Sequence, residues 1–121
     1  MANKILVVDD DMMNLRRAEY ILTQQGYEIC KVESGMECLL FLKDNSVDLI
    51  LLDIDMPIMS GIKTFEIIKD NKEMAEIPVI FLTASADSDI VMEAAKLGAN
   101  DYVTKPFMPD ELLKRVEKAL N

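Results

Sequence analysis

Val47-Asp48-Leu49-Ile50-Leu51-Leu52-Asp53 is the stretch on which the fold turns. Apart from Asp48 it is apolar until it stops at Asp53, with none of the polar alternation of a half-exposed strand. A run of that kind suits a central strand covered on both faces, as in a parallel sheet between two helical layers. The flanking sequence agrees. Upstream, Ile5-Leu6-Val7-Val8 is a second short apolar run, followed at once by Asp9-Asp10-Asp11. Downstream, Pro78 opens a third run, Val79-Ile80-Phe81-Leu82, which stops at Thr83. Two lesser strands, Tyr27 to Val32 and Asp101 to Thr104, complete the set.

Stretches of helical period separate these runs. The first extends from about Met12 to Gln25, with Leu15, Ala18 and Leu22 on one face and Gly26 as its stop. Ser34 caps a second that runs to about Asp44, with Met36, Leu39, Leu40 and Phe41 as its apolar side. After the turn-rich Met56-Pro57-Ile58-Met59-Ser60-Gly61, a third covers Ile62 to about Asn71 and faces Phe65 and Ile68 inward. Asp87 is the predicted cap of a fourth, which ends at Leu97 before Gly98. Pro109 opens the last, which buries Leu112, Val116 and Leu120. Five strand–helix alternations predict an α/β fold: a five-stranded parallel sheet, doubly wound, with right-handed crossovers. With no linker, repeat or low-complexity tract, one domain over residues 1–121 is expected. The first strand follows Met1 almost directly, which suggests an N-terminal or free-standing unit.

The composition is globular, with half of the residues hydrophobic and 29% charged. Only 6% are aromatic and none is Trp, so the core must be aliphatic. Nine methionines are many, and adaptable core filler is the favoured reading over a Met-rich docking surface. A net charge of −9 argues against a nucleic-acid partner, which needs an excess of Lys and Arg. No apolar run reaches membrane-spanning length and nothing resembles a signal peptide. Cys30 and Cys38, without CxxC spacing, read as reduced structural residues in a cytoplasmic setting. The absence of His removes most zinc sites and every His-based triad.

In open parallel sheets ligands bind beyond the carboxyl ends of the strands, where strand order reverses. The residues at those ends are Asp9 and Asp10 after the first strand, Asp53 after the third, Thr83 after the fourth and Lys105 after the fifth. Each alone has an ordinary explanation. Asp53 suits a turn before Pro57, Thr83 a strand end, and Lys105 a solvated surface; for Asp11 a helix cap is the better reading. Together they describe one rim. Like charges at ~4 Å repel by roughly 4 kcal/mol per pair at an effective dielectric near 20. Three converging carboxylates therefore call for a proton or a cation among them. Oxygen donors without His or Cys favour a hard ion, commonly Mg²⁺, which leaves coordination open for phosphate oxygens. An ionised carboxylate can attack phosphorus without a general base, while an amine and a hydroxyl neutralise the spreading charge.

Four segments then carry a resemblance over essentially the whole chain. Ile5-Leu-Val-Val-Asp-Asp10, Leu51-Leu-Asp-Ile-Asp-Met-Pro57 with Ser60-Gly61, Val79-Ile-Phe-Leu-Thr-Ala84 and Gly98-Ala-Asn-Asp-Tyr-Val-Thr-Lys-Pro106 resemble the receiver domain of two-component response regulators. The resemblance implies a flavodoxin-like three-layer sandwich with strand order 2-1-3-4-5. It implies that Asp53 is the phosphoacceptor. Asp9, Asp10, Asp53 and the backbone carbonyl of Asp55 would hold Mg²⁺ (or Mn²⁺), with Asp9 acting partly through water. Thr83 becomes the switch hydroxyl, Tyr102 the aromatic side chain that follows it, and Lys105, before a cis Pro106, the phosphoryl-binding amine.

The implied donor is a phosphohistidine on a sensor histidine kinase or phosphotransfer protein. The implied output runs through the face of the fourth helix, fifth strand and fifth helix to an output domain or downstream protein. Leu97 and Ala99 near that face suit either a homodimer of the phosphorylated form or the core. Asp55 and Ser85 occupy the positions that tune phosphoryl lifetime. The domain would catalyse only its own phosphotransfer and dephosphorylation. Two rivals remain open at this point. Asp53-Ile-Asp55 also resembles the DxD of haloacid-dehalogenase-type phosphatases, although there it follows the first strand of a longer chain. A flavodoxin-like FMN binder shares the architecture but would want a Ser/Thr/Gly-rich loop where three aspartates stand.

Overall fold

The computed structural model describes residues 2–84 and 88–121. The expected cap at Asp87 and the lifetime position Ser85 lie outside them. Five strands and five helices alternate: β1 (Lys4–Val8), α1 (Met12–Thr23), β2 (Glu28–Val32), α2 (Gly35–Asp44), β3 (Leu49–Asp53), α3 (Gly61–Asp70), β4 (Val79–Thr83), α4 (Ser88–Lys96), β5 (Asp101–Thr104) and α5 (Pro109–Leu120). All ladders are parallel and the order is β2-β1-β3-β4-β5. β1, β3 and β4 are the apolar runs, and each is buried along nearly its whole length, as a strand covered on both faces must be.

Strand alternation divides the core into two layers. Ile5, Val7, Leu49, Leu51, Ile80 and Leu82 face Leu15, Ala18, Ile21 and Leu22 of α1 and Leu112 and Val116 of α5. Leu6, Val8, Ile50, Leu52, Val79 and Phe81 face α2, α3 and α4 through Cys38, Leu42, Phe65, Ile68 and Ala94. Phe65 meets Phe81 edge to face, with ring centroids 5.2 Å apart. The three-layer sandwich follows from these two seams.

Helix starts are set locally. Asp11 caps α1 by accepting from the Met13 N–H at 2.8 Å, the role expected of it. Ser34 caps α2 by accepting from Glu37 N–H, while Glu37 Oε1 accepts from Glu33 N–H, an extended form of the capping box. Ser60 caps α3 by accepting from Lys63 N–H at 3.2 Å.

Several expectations need correcting. The first helix ends at Thr23 rather than Gln25, and the second and third strands begin at Glu28 and Leu49. On α2, Met36 and Leu40 are exposed; the buried side is Gly35, Cys38 and Leu42, with Leu39 and Phe41 half-buried. Four apolar residues in the six positions 36–41 fit no single helical stripe, so the tertiary contact chose among them. The methionines are mostly not core filler: Met56 and Met74 are buried, but Met12, Met13, Met36, Met92 and Met108 are exposed. Leu120 is half-buried. Leu97 and Ala99 are half-buried against the core. Cys38 is buried, Cys30 half-buried, and both are free thiols.

Candidate functional site

The chain runs from β1 to one side, to β2, and returns on the other side to β3. Strand order therefore reverses between β1 and β3, and the crevice at their carboxyl ends is the expected ligand position. Asp9, one residue past β1, and Asp53, the last residue of β3, both open into that crevice and are 0% and 1% exposed. Asp10 is exposed beside them. One carboxylate oxygen from each of the three lies within 4.8 Å of the others.

Lys105 reaches the same place from the end of β5. Its Nζ stands 2.8 Å from Asp9 Oδ2 and 2.9 Å from Asp53 Oδ1. The backbone supports both carboxylates: Asp11 N–H donates to Asp9 Oδ1 at 3.0 Å, and Asp55 N–H donates to Asp53 Oδ1 at 3.2 Å. Lys105 N–H donates to Thr83 O at 2.7 Å, which extends the β4–β5 ladder to the base of the lysine. The Lys105–Pro106 peptide is cis, as the resemblance implied.

The loop after β3 is tightly built. Gly61 N–H donates to Ile54 O at 2.9 Å, and a Cβ on Gly61 would sit 2.1 Å from the Asp53 carbonyl oxygen. Only glycine lets α3 begin against the backbone of Asp53. Ile58 adopts φ +70°, a left-handed conformation that a β-branched residue rarely takes, and its side chain is fully exposed.

Electrostatics sharpen the picture. Burial pushes the Asp53 carboxyl up, Lys105 opposes this and Asp9 adds to it, leaving a value of about 6. Burial would lower the Lys105 amine, but the adjoining Asp9 and Asp53 outweigh it and hold the amine above its ordinary value. One amine among three carboxylates leaves an excess of negative charge. Asp9 Oδ2 is buried and paired with that amine at 2.8 Å. Three converging carboxylates, two of them buried, that share one amine fit a small hard cation.

Of the expected site residues, Asp9, Asp10, Asp53 and Lys105 are brought together. Thr83 is buried at the tip of β4, the strand next to β3. The Asp55 side chain is exposed, and its backbone supports Asp53. Tyr102 is 39% exposed on edge strand β5, away from the acids along the chain but paired in register with Phe81 of β4. Sequence reasoning missed Arg17, whose guanidinium holds the loop after Lys105 by donating to Phe107 O. A surface arginine on an amphipathic helix carries no local signal of such a contact.

The family model of the response regulator receiver domain matches residues 5–117. The chain belongs to that family. Among similar receivers and regulators, the chemotaxis protein CheY of Bacillus subtilis is 35% identical over 122 residues, and each chain is covered in full. The phosphate regulon transcriptional regulatory protein PhoB of Pseudomonas aeruginosa is 36% identical over 96% of this chain. This receiver spans 51% of that relative's length, and 48% of a transcriptional regulatory protein of B. subtilis that is 40% identical to it. The structure of the Vibrio cholerae chemotaxis protein CheY4 superposes with a TM-score of 0.94 at 28% identity, covering 99% of this chain and all of the other. Family membership leaves the phosphatase and FMN-binding alternatives without support. Among the described residues no helix is long and apolar enough to cross a membrane.

Proposed function

We propose that this receiver accepts a phosphoryl group onto Asp53 from a phosphohistidine of a sensor kinase or phosphotransfer protein, in a cytoplasmic signalling pathway. The observation that carries this is the placement of Asp53: a buried carboxylate on the sheet's carboxyl rim, 2.9 Å from a lysine amine and flanked by Asp9 and Asp10. A carboxylate oxygen of Asp53 forms the bond to phosphorus as the donor's phosphorus–nitrogen bond breaks. The imidazole leaves with the electron pair and later takes a proton from solvent. No base is needed, because the nucleophile is an anion above pH 6.

Asp9, Asp10, Asp53 and the Asp55 backbone carbonyl would hold Mg²⁺ (or Mn²⁺), which when bound neutralises charge on the phosphoryl oxygens. Lys105 covers a further oxygen with its amine, which leaves Asp53 Oδ1 as that oxygen is bonded. The Thr83 hydroxyl donates to another. Tyr102 then reorients toward β4. It borders a groove of about 200 Å³ against Val91, Ala94 and Ala95 of α4, which gives its ring somewhere to move. The surface of α4, β5 and α5 changes with it and is read by an output domain or a downstream protein, or by a second copy of the chain. The phosphoryl group drives the change only through its better contacts with one of two states.

Mg²⁺-dependent labelling by a small acyl phosphate tests the assignment. Labelling of the parent to about one group per chain, and its loss in Asp53→Asn, is expected. Equal labelling of Asp53→Asn, or labelling insensitive to chelator, would remove Asp53 from this role.

A further inference from the structure

We infer that Arg17 is a positioning residue for Lys105: from α1 its guanidinium clamps the β5–α5 connection at the Phe107 carbonyl, and so sets where the Lys105 amine stands over Asp53. The inference rests on the functional reading above. Arg17 Nε and Nη2 donate to Phe107 O at 3.2 and 3.1 Å, two N–H groups on one acceptor across 90 residues of sequence. Such a charge-assisted fork is stiffer and stronger than a neutral hydrogen bond. Its acceptor is two residues from Lys105.

The rest of the connection shows why a clamp is needed there. On the strand side, Lys105 N–H is tied to Thr83 O. On the helix side, the capping position of α5 is filled by Met108, which makes no side-chain cap and is exposed. The α5 ladder begins with Leu112 N–H donating to Met108 O, so the Phe107 carbonyl lies outside it. The Phe107 ring is buried against α1 and α5, which fixes the side chain but leaves the carbonyl's direction to Arg17. Lysine reaches its target on a flexible four-carbon stem, so the backbone at its root must supply the precision. A misplacement of ~1 Å at a reacting centre is enough to slow a reaction about a hundredfold. Lysine at position 17 would offer one point charge where the fork now sets both distance and plane.

The test uses the full chain. Arg17 lies on the exposed side of α1, so its variants keep the core intact. With acetyl phosphate and saturating Mg²⁺, Arg17→Gln is expected to label about tenfold more slowly, with Arg17→Lys in between. Lys105→Met slows labelling by itself, and Arg17→Gln added to it should slow it no further. A clamp that serves only general stability would slow both backgrounds by the same factor, and that result overturns the inference. A second readout needs neither metal nor donor. Hydrogen exchange at the Lys105 amide should accelerate in Arg17→Gln while exchange at Val7, in β1, stays unchanged. Unchanged protection at Lys105 also overturns the inference. If the parent fails to label at all, the fault lies with the proposed function, and the exchange measurement still decides whether Arg17 holds the loop.

Discussion

Replacing Asp53 by Asn should stabilise the metal-free protein, although it deletes a residue of the site. In the folded chain this carboxyl is 1% exposed and its value is pushed up to about 6, against an ordinary 3.8. Each unit of that difference is worth about 1.36 kcal/mol, so holding an anion there near neutral pH costs the fold up to about 3 kcal/mol. Asn removes the charge while keeping the volume. It loses some attraction to Lys105, so a gain of about 1–3 kcal/mol is expected at pH 7.5 in the presence of a chelator. In urea this moves the unfolding midpoint by about 1 M, given a slope of roughly 1–3 kcal/mol/M.

The pH dependence has a definite sign. The folded carboxyl holds its proton more tightly than the unfolded one, so the penalty is absent below about pH 4, grows between 4 and 6, and is complete above 6. Parent and variant should therefore converge in acid. Adding Mg²⁺ should close the gap from the other direction by stabilising the parent, by about 2.7 kcal/mol at a hundred times its dissociation constant. Urea titrations of both proteins at several pH values, with chelator and with Mg²⁺, supply the measurement. A variant no more stable than its parent at pH 7.5, or one whose advantage persists undiminished at pH 4, would show that the acids are not under the electrostatic load described.

Three other outcomes follow from local geometry. Gly61→Ala drives a methyl group into the Asp53 carbonyl and should cost about 3 kcal/mol or more, read as a lowered melting temperature. Ile58→Asn relieves a left-handed β-branched residue with no packing to lose and should raise stability by about 1 kcal/mol; a loss would mean that the Ile58 side chain has a structural role. Burial raises the Cys38 thiol to about 12, so at pH 8 iodoacetamide should leave Cys38 unmodified in the folded chain and alkylate it only after unfolding, as peptide mass spectrometry will show.

The buried strands were the most legible part of the chain. Val79-Ile80-Phe81-Leu82 and Ile5-Leu6-Val7-Val8 have only one comfortable environment, a sheet interior, and the punctuation around them marked the ends of most helices. Helix faces were less legible where apolar residues crowd, as Met36 and Leu40 show by standing in solvent. The methionines misled for a related reason. Their flexible, polarisable side chains tolerate both core and surface, so their number says little about their location.

The residue types at the strand ends were enough to nominate Asp9, Asp10, Asp53, Thr83 and Lys105, because a parallel sheet places every such end on one rim. Their chemistry is local, and each is read at its own position. What the tertiary structure alone decided is distance and direction: that one amine serves Asp9 and Asp53 together, that Gly61 abuts the Asp53 backbone, and that Arg17 holds the Phe107 carbonyl. The Lys105 pairs and the Arg17 contact join residues remote in sequence, the latter 90 positions apart. The energy that selects them comes from packing two helical layers onto the sheet, and no stretch of the chain carries it alone.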